Sequence, residues 1–225
     1  MSSQIIAMIP ARLGSQRLKQ KNLREIDGVP IIGHAILKCV ESGVFDRVVV
    51  NSESEVFRDV AEKYGAAFHH RPENLGDNNA TSEQYIAEFL NAHECDRIVQ
   101  VHSIAPLLTV EEVKTFTKHF CESDFDVLLS VTLEQIECFY NKTPLNFTFE
   151  RKTNSQELEP VERVSWSITG WKRSTYLEAV NKKLCATYFG KIGTFTVGRM
   201  AGHVIKTEED LQIAQALWTA RTKHP

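Results

Sequence analysis

The amino-acid sequence predicts an α/β protein with a doubly wound, mostly parallel sheet and an inserted β-rich arm. Three observations predict it. Apolar runs of strand length alternate with amphipathic runs at helical spacing over residues 5–131. The first apolar run ends at Pro10 in a Gly/Ser loop that carries Arg12, Arg17, Lys19 and Lys21. The alternation then fails over residues 132–176 and resumes afterwards.

Residues 5–9 read as a buried strand, stopped by Pro10, which has no N–H to give to a ladder. In the loop that follows, Gly14 lets the backbone come close to a ligand, and the cations join backbone N–H groups in an anion grip. The alternative for so basic a turn is a solvated surface loop. Asp27-Gly28-Val29-Pro30 marks a turn, and Ile31, Ile32, Ala35, Ile36, Cys39 and Val40 then predict a helix over one face of the first strand. Residues 48–50 form a second strand. Val56, Phe57, Val60, Ala61 and Tyr64 predict a second helix, ended by Gly65. A third strand at 66–70 leads into a polar loop over 71–79. Thr81 or Ser82 then caps a helix through Tyr85, Phe89 and Leu90. Residues 97–102 are the fourth strand, and Thr109-Val110-Glu111-Glu112 is a capping box that opens the helix through Val113, Phe116 and Phe120. Residues 127–131 give the next strand. Beyond the arm, 193–197 and 203–205 restore strands, and residues 207–210 cap a last helix through Leu211, Ala214 and Leu217. No repeat or linker divides the chain, so residues 1–225 are read as a single domain with an arm.

With 225 residues, 42% hydrophobic and 24% charged, the chain can bury a core without staples. A formal net charge of −3 argues against a dedicated nucleic-acid binder, so the basic loop is expected to serve a small anion. No signal-peptide pattern and no apolar run of roughly 18 residues is present, so neither a membrane partner nor secretion is expected and the protein is placed in the cytoplasm. Cys39, Cys95, Cys121, Cys138 and Cys185 are scattered and include no Cys-x-x-Cys pair, which indicates free thiols rather than a disulfide frame or a zinc site.

The order strand, Pro10, Ala11-Arg12, Gly14-Ser15, Arg17-Leu18, Lys21-Asn22 is more specific than its charge. It lacks the spacing Gly-x-Gly-x-x-Gly and lacks Gly-Lys-Ser/Thr. It resembles the N-terminal signature of the acylneuraminate (CMP-sialic acid) and 3-deoxy-manno-octulosonate cytidylyltransferase family. The resemblance implies a fold of the nucleotide-diphospho-sugar transferase type. It implies that Ala11, Arg12, Gly14, Ser15 and Asn22 bind nucleotide and that Arg12 and Lys21 are catalytic. Gln16 stands where the family often has a lysine, with Arg17 beside it as a compensating cation. The resemblance also assigns base selection to the loop after the third strand, here Arg71, Thr81 and Ser82; plain helix capping stays open for the last two.

His102 ends the fourth strand where the family has a polar residue, and Leu108 replaces a family arginine after Pro106-Leu107. Sugar contact is the role implied for His102, with acid–base work as the alternative. In the arm, Arg163-Val164-Ser165-Trp166 matches a family Arg-x-Asn-Gly. Arg163 is thereby implied to hold a sugar carboxylate and Ser165 to contact the sugar. Trp166, in place of glycine, would fill space above it; packing in the arm or across a dimer is the alternative for Trp166 and Trp171. Val204-Ile205-Lys206 stands where the family has the two aspartates that bind Mg2+. Mg2+ is thus implied by the resemblance, while its ligands in this chain are unknown and Lys206 offers a point charge instead.

The function this implies is transfer from CTP to a 3-deoxy-2-keto sugar acid, giving a CMP-sugar and pyrophosphate, in a homodimer paired partly through the arm. Two other readings are a catalytically impaired, nucleotide-binding relative acting as a partner or regulatory subunit, and a transferase of the same fold acting on a sugar phosphate. Asn-x-Thr triplets at Asn141 and Asn146 carry no weight without a secretion signal.

Overall fold

The computed structural model describes residues 4–77 and 79–223, so Asn78 of the polar loop lies outside the described residues. Its centre is a seven-stranded sheet of β1 (Ile5–Pro10), β2 (Arg47–Ser52), β3 (Ala67–His70), β4 (Arg97–Val101), β5 (Val127–Glu134), β6 (Val161–Lys172) and β7 (Ile192–Thr196). The strands lie in the order β7-β5-β6-β4-β1-β2-β3. All neighbours are parallel except β6, which runs antiparallel to both β4 and β5.

β1 reads as one continuous apolar run because both of its faces are covered. Ala7 and Ile9 join Val50 and Val99 under α1 (Ile31–Ser42), α2 (Val56–Lys63) and α4 (Val110–Glu122). Ile6 and Met8 point the other way, joining Val49 and Ile98 under α3 (Ser82–Ala92) and α5 (Arg173–Asn181). A smaller cluster of Leu18, Ile26, Ile31, Ile205, Leu211 and Ala214 seats α6 (Glu208–Lys223) against the loop that follows β1.

The local signals carry through where they are short-range. Asp27 and Gly28, with φ of 53° and 72°, form the tight turn of a small hairpin between Glu25–Ile26 and Val29–Pro30, the left-handed pair that Asp-Gly supplies. Thr81 caps α3 and Thr109 caps α4, each in a reciprocal capping box with Gln84 and Glu112.

Two expectations need correction. Residues 203–205 form no strand: Ile205 makes a single rung, its N–H to Ile104 O at 2.8 Å, and His203 turns to the Asp210 carbonyl at 2.8 Å. The segment 132–176 also divides in two. Residues 135–160 project as irregular chain with a ribbon of Phe139–Tyr140 and Thr143–Pro144, whereas β6 is inserted in the main sheet, and Trp171 and Tyr176 are core residues. A break in register between Val164 and Thr169 interrupts the alternation of β6, which is why its period does not read as a strand.

Candidate functional site

The loop after β1 is fixed by backbone and side-chain bonds before any ligand arrives. Ala11 N–H extends the β1–β2 pairing to Asn51 O at 3.0 Å, and Leu13 N–H donates to Glu53 Oε1 at 2.9 Å. Arg71, 3% exposed, donates from Nη2 to Ala11 O and to Glu53 Oε2, both at 2.9 Å, and its guanidinium lies 4.9 Å from the Tyr85 ring centroid. Its Nε is buried without a hydrogen-bond partner. Asn22 donates to Arg12 O at 3.2 Å while its Oδ1 accepts from Ser103 Oγ at 2.8 Å, tying the loop to the end of β4. Lys21 Nζ donates to Ile205 O at 3.2 Å, tying the same loop to the segment before α6.

These ties enclose a cavity of about 460 Å3 at the carboxyl ends of β1 and β4, where ligands of open α/β sheets bind. Of the residues expected at the site, Ala11, Arg12, Ser15, Lys21, Asn22, Arg71 and His102 line it. Arg17, Asp77, Tyr85, Ser103 and Lys206 line it as well. Burial together with the charges of Arg17 and Arg12 lowers the Lys21 ammonium to about 8, so the loop already holds concentrated positive charge. Burial lowers His102 to about 4, which leaves a neutral ring at pH 7 whose Nε2 accepts from Gln100 Nε2 at 2.6 Å. With so low a proton affinity the ring is a weak general base at pH 7.

Five expected residues fall elsewhere. Gly14 lines a shallow neighbouring groove; a Cβ there would meet nothing within 4 Å, so no crowding by protein requires the glycine. Thr81 and Ser82 are exposed at the start of α3 and do not line the cavity; Thr81 Oγ1 accepts from Gln84 N at 3.3 Å. Thr81→Ala is expected to cost about 1 kcal/mol, roughly 3 °C in melting temperature. Ser165, 2% exposed, is drawn into a hydroxyl cluster with Ser130 at 2.8 Å and Ser167 at 3.1 Å by the irregular stretch of β6, and lines neither this cavity nor the next. Trp166 sits in that stretch at φ 57°, its ring 6.5 Å from that of His102 and 6.3 Å from that of Tyr188.

Arg163 lines a second cavity of about 400 Å3 with Glu134, Arg199, Gly202, His203, Val204, Lys206 and Asp210. Arg163 Nε pairs with Glu134 at 2.9 Å, and Asp210 Oδ2 accepts from Lys206 N, Thr207 N and Thr207 Oγ1.

Among the described residues the first cavity offers Mg2+ one carboxylate, that of Asp77. Octahedral Mg2+ is held by one or two carboxylates plus substrate phosphates. Asp77 is the carboxylate residue lining the first cavity, and its Oδ1 already accepts from Asn79 N and Ala80 N at 2.7 and 2.8 Å. Lys206 presents an ammonium, and no group of three or more His, Cys, Asp or Glu among the described residues is placed to hold a metal ion.

Known proteins share parts of this sequence and the fold of the chain. The chain is 34% identical over 146 residues to the N-acylneuraminate cytidylyltransferase of Escherichia coli O18:K1:H7, covering 65% of this chain and 33% of that protein. It is 35% identical over 133 residues to the pseudaminic acid cytidylyltransferase of Campylobacter jejuni, covering 56% and 57%. The matches thus span between a third and somewhat over half of these relatives' lengths. In fold it is similar to a CMP:2-keto-3-deoxy-manno-octonic acid synthetase solved with CTP, at a TM-score of 0.72 and 16% identity over 97% of this chain and 100% of that one. It is also similar to the 4-diphosphocytidyl-2C-methyl-D-erythritol synthase of Anaerococcus prevotii, at 0.70 and 14% over 96% and 99%. The cytidylyltransferase family model matches residues 6–187, from β1 and its cationic loop through β6 and α5, so the chain belongs to the cytidylyltransferase family.

Proposed function

We propose that this chain transfers the cytidylyl group of CTP to a hydroxyl of a 3-deoxy-2-keto sugar acid of the sialic- or octulosonic-acid class, releasing pyrophosphate. The observation that carries the reading is the convergence of Arg12, Arg17 and Lys21 on one cavity at the carboxyl end of β1. The acceptor oxygen attacks the α-phosphorus in line, and a new O–P bond forms as the bond to the α,β-bridging oxygen breaks. Pyrophosphate leaves with that electron pair, and the hydroxyl proton passes to water. Negative charge grows on the leaving group, and the three cations, held before the reaction begins, stabilise it there. Ala11, Ser15 and Asn22 place the nucleotide through the pinned loop, Arg71 offers its unused Nε–H, and Arg163 faces the acceptor carboxylate from the adjoining cavity.

Pyrophosphate release, measured across CTP, UTP, ATP and GTP with N-acetylneuraminate, pseudaminate and 3-deoxy-manno-octulosonate as acceptors, tests the reading. Release with CTP and a sugar acid supports it. A preference for another nucleotide, or release only with a sugar phosphate, overturns it.

Lys21 also fixes a pH limb. Its ammonium is charged below pH 8 and neutral above, and the charged form is the useful one, so kcat/KM is expected to fall about tenfold per pH unit above pH 8. Lys21→Arg keeps the charge past pH 12 and is expected to abolish that limb; a limb that persists in the variant belongs to another group.

We place the protein in the cytoplasm, which accords with five free cysteines, and we propose a homodimer. Phe139, Tyr140 and Phe149 are 55%, 68% and 76% exposed, and the rings of Phe139, Phe147 and Phe149 form a cluster on the projecting segment. Sedimentation at micromolar concentration is expected to give a dimer, and Phe149→Ser to weaken it.

A further inference from the structure

We infer that Lys206 is the side chain through which the nucleotide and acceptor cavities share charge, an inference that rests on the transferase reading above. Lys206 lines both cavities. Its backbone is fixed on each side. Its own N–H donates to Asp210 Oδ2 at 2.9 Å, and the preceding Ile205 is fully buried, with its N–H on Ile104 O and its carbonyl accepting Lys21 Nζ. The exposed side chain, by contrast, makes no hydrogen bond or ion pair among the described residues. The ammonium is therefore uncommitted while its root is held between the two sites.

The second cavity has the chemistry of a carboxylate-bearing acceptor. Its carboxylates are spoken for: Glu134 by Arg163, and Asp210 by three donors at the start of α6. Arg199 lines it and makes no hydrogen bond among the described residues, though its charge acts on Glu134, which leaves the Lys206 ammonium as the uncommitted cation of the cavity. Gly202 keeps the wall close. A Cβ there would meet Thr132 Cγ2 at 2.3 Å and would stand 3.4 Å from Arg163 Nη2, so any larger residue would push the segment away from that guanidinium.

The reaction must bring a carboxylate beside a triphosphate, and like charges in a partly dehydrated cleft repel strongly. A mobile ammonium between them lowers the repulsion for both partners at once. Lys206 accordingly makes the two substrates bind cooperatively, which a residue serving one cavity alone would not do. At this boundary, where the resemblance implies a metal carboxylate, this chain puts a lysine.

The test titrates N-acetylneuraminate, pseudaminate and 3-deoxy-manno-octulosonate calorimetrically into the full chain, alone and saturated with α,β-methylene-CTP, which cannot lose pyrophosphate. In the wild type, the nucleotide is expected to tighten the binding of at least one sugar acid. In Lys206→Met, affinity for the nucleotide-loaded form is expected to fall at least tenfold while affinity for the free form changes about threefold, and Lys206→Arg is expected to restore most of the coupling. Equal losses with and without nucleotide, or no loss, would overturn the inference. No binding of any of the three acids to loaded wild type would overturn the assignment of the second cavity. Failure of the methylene nucleotide itself to bind wild type would instead overturn the function proposed above.

Discussion

Replacement of Lys21 by alanine is expected to lower turnover by about two to three powers of ten, the loss of roughly 2.7–4 kcal/mol that follows removal of one preorganised donor from a developing charge. The fold is expected to survive, because Lys21 contributes one bond, to Ile205 O at 3.2 Å, and burial already disfavours its ammonium. That combination separates chemistry from stability. The melting temperature of Lys21→Ala is expected within a few degrees of wild type while single-turnover pyrophosphate release collapses. Wild-type turnover in the variant would remove Lys21 from the mechanism, and a melting temperature that falls in step with activity would make it a structural residue.

Arg71 presents the reverse case. Its guanidinium is nearly fully buried, pairs with Glu53 and supports the Ala11 carbonyl, so Arg71→Ala strands Glu53 and removes a strut from the anion loop. Breaking a buried pair from one side costs about 3–5 kcal/mol, and the expected fall in melting temperature is on the order of 10 °C for a domain of this size. Arg71→Ala with Glu53→Gln is expected to recover part of the loss, because the uncompensated carboxylate is gone. A single variant that melts within about 2 °C of wild type would show that water replaces the guanidinium freely and that Arg71 serves nucleotide binding alone.

These two residues illustrate what a sequence discloses. Lys21 was legible because the signal is local: a strand, a proline, a glycine and cations within a dozen positions leave the backbone few ways to go. The helix caps at Thr81 and Thr109 were legible for the same reason, each being a bond across three residues. The pairing of Arg71 with Glu53 is not legible, because it spans 18 positions and nothing near either residue discloses the other. The second bond of Asn22, to Ser103, likewise spans 81 positions. The insertion of β6 between β4 and β5 is set by long-range pairing, and its irregular stretch hides the strand period at Ser165, Trp166 and Ser167. The bonds of Ser165 to Ser130 and Ser167 are hidden for the same reason: a serine hydroxyl looks the same in sequence whatever it meets. Residues 203–205 have the apolar character of a strand because Ile205 is a core residue, yet burial of one side chain requires no ladder.

Ile205 has a further consequence for motion. Its N–H is held by the turn that follows β4, its carbonyl by the lysine of the loop that follows β1, and its own segment leads directly into α6. Three loops that in many α/β proteins breathe separately are thereby riveted at one residue. Under the transferase reading proposed above, product release is expected to swing α6 together with its neighbours rather than one loop alone.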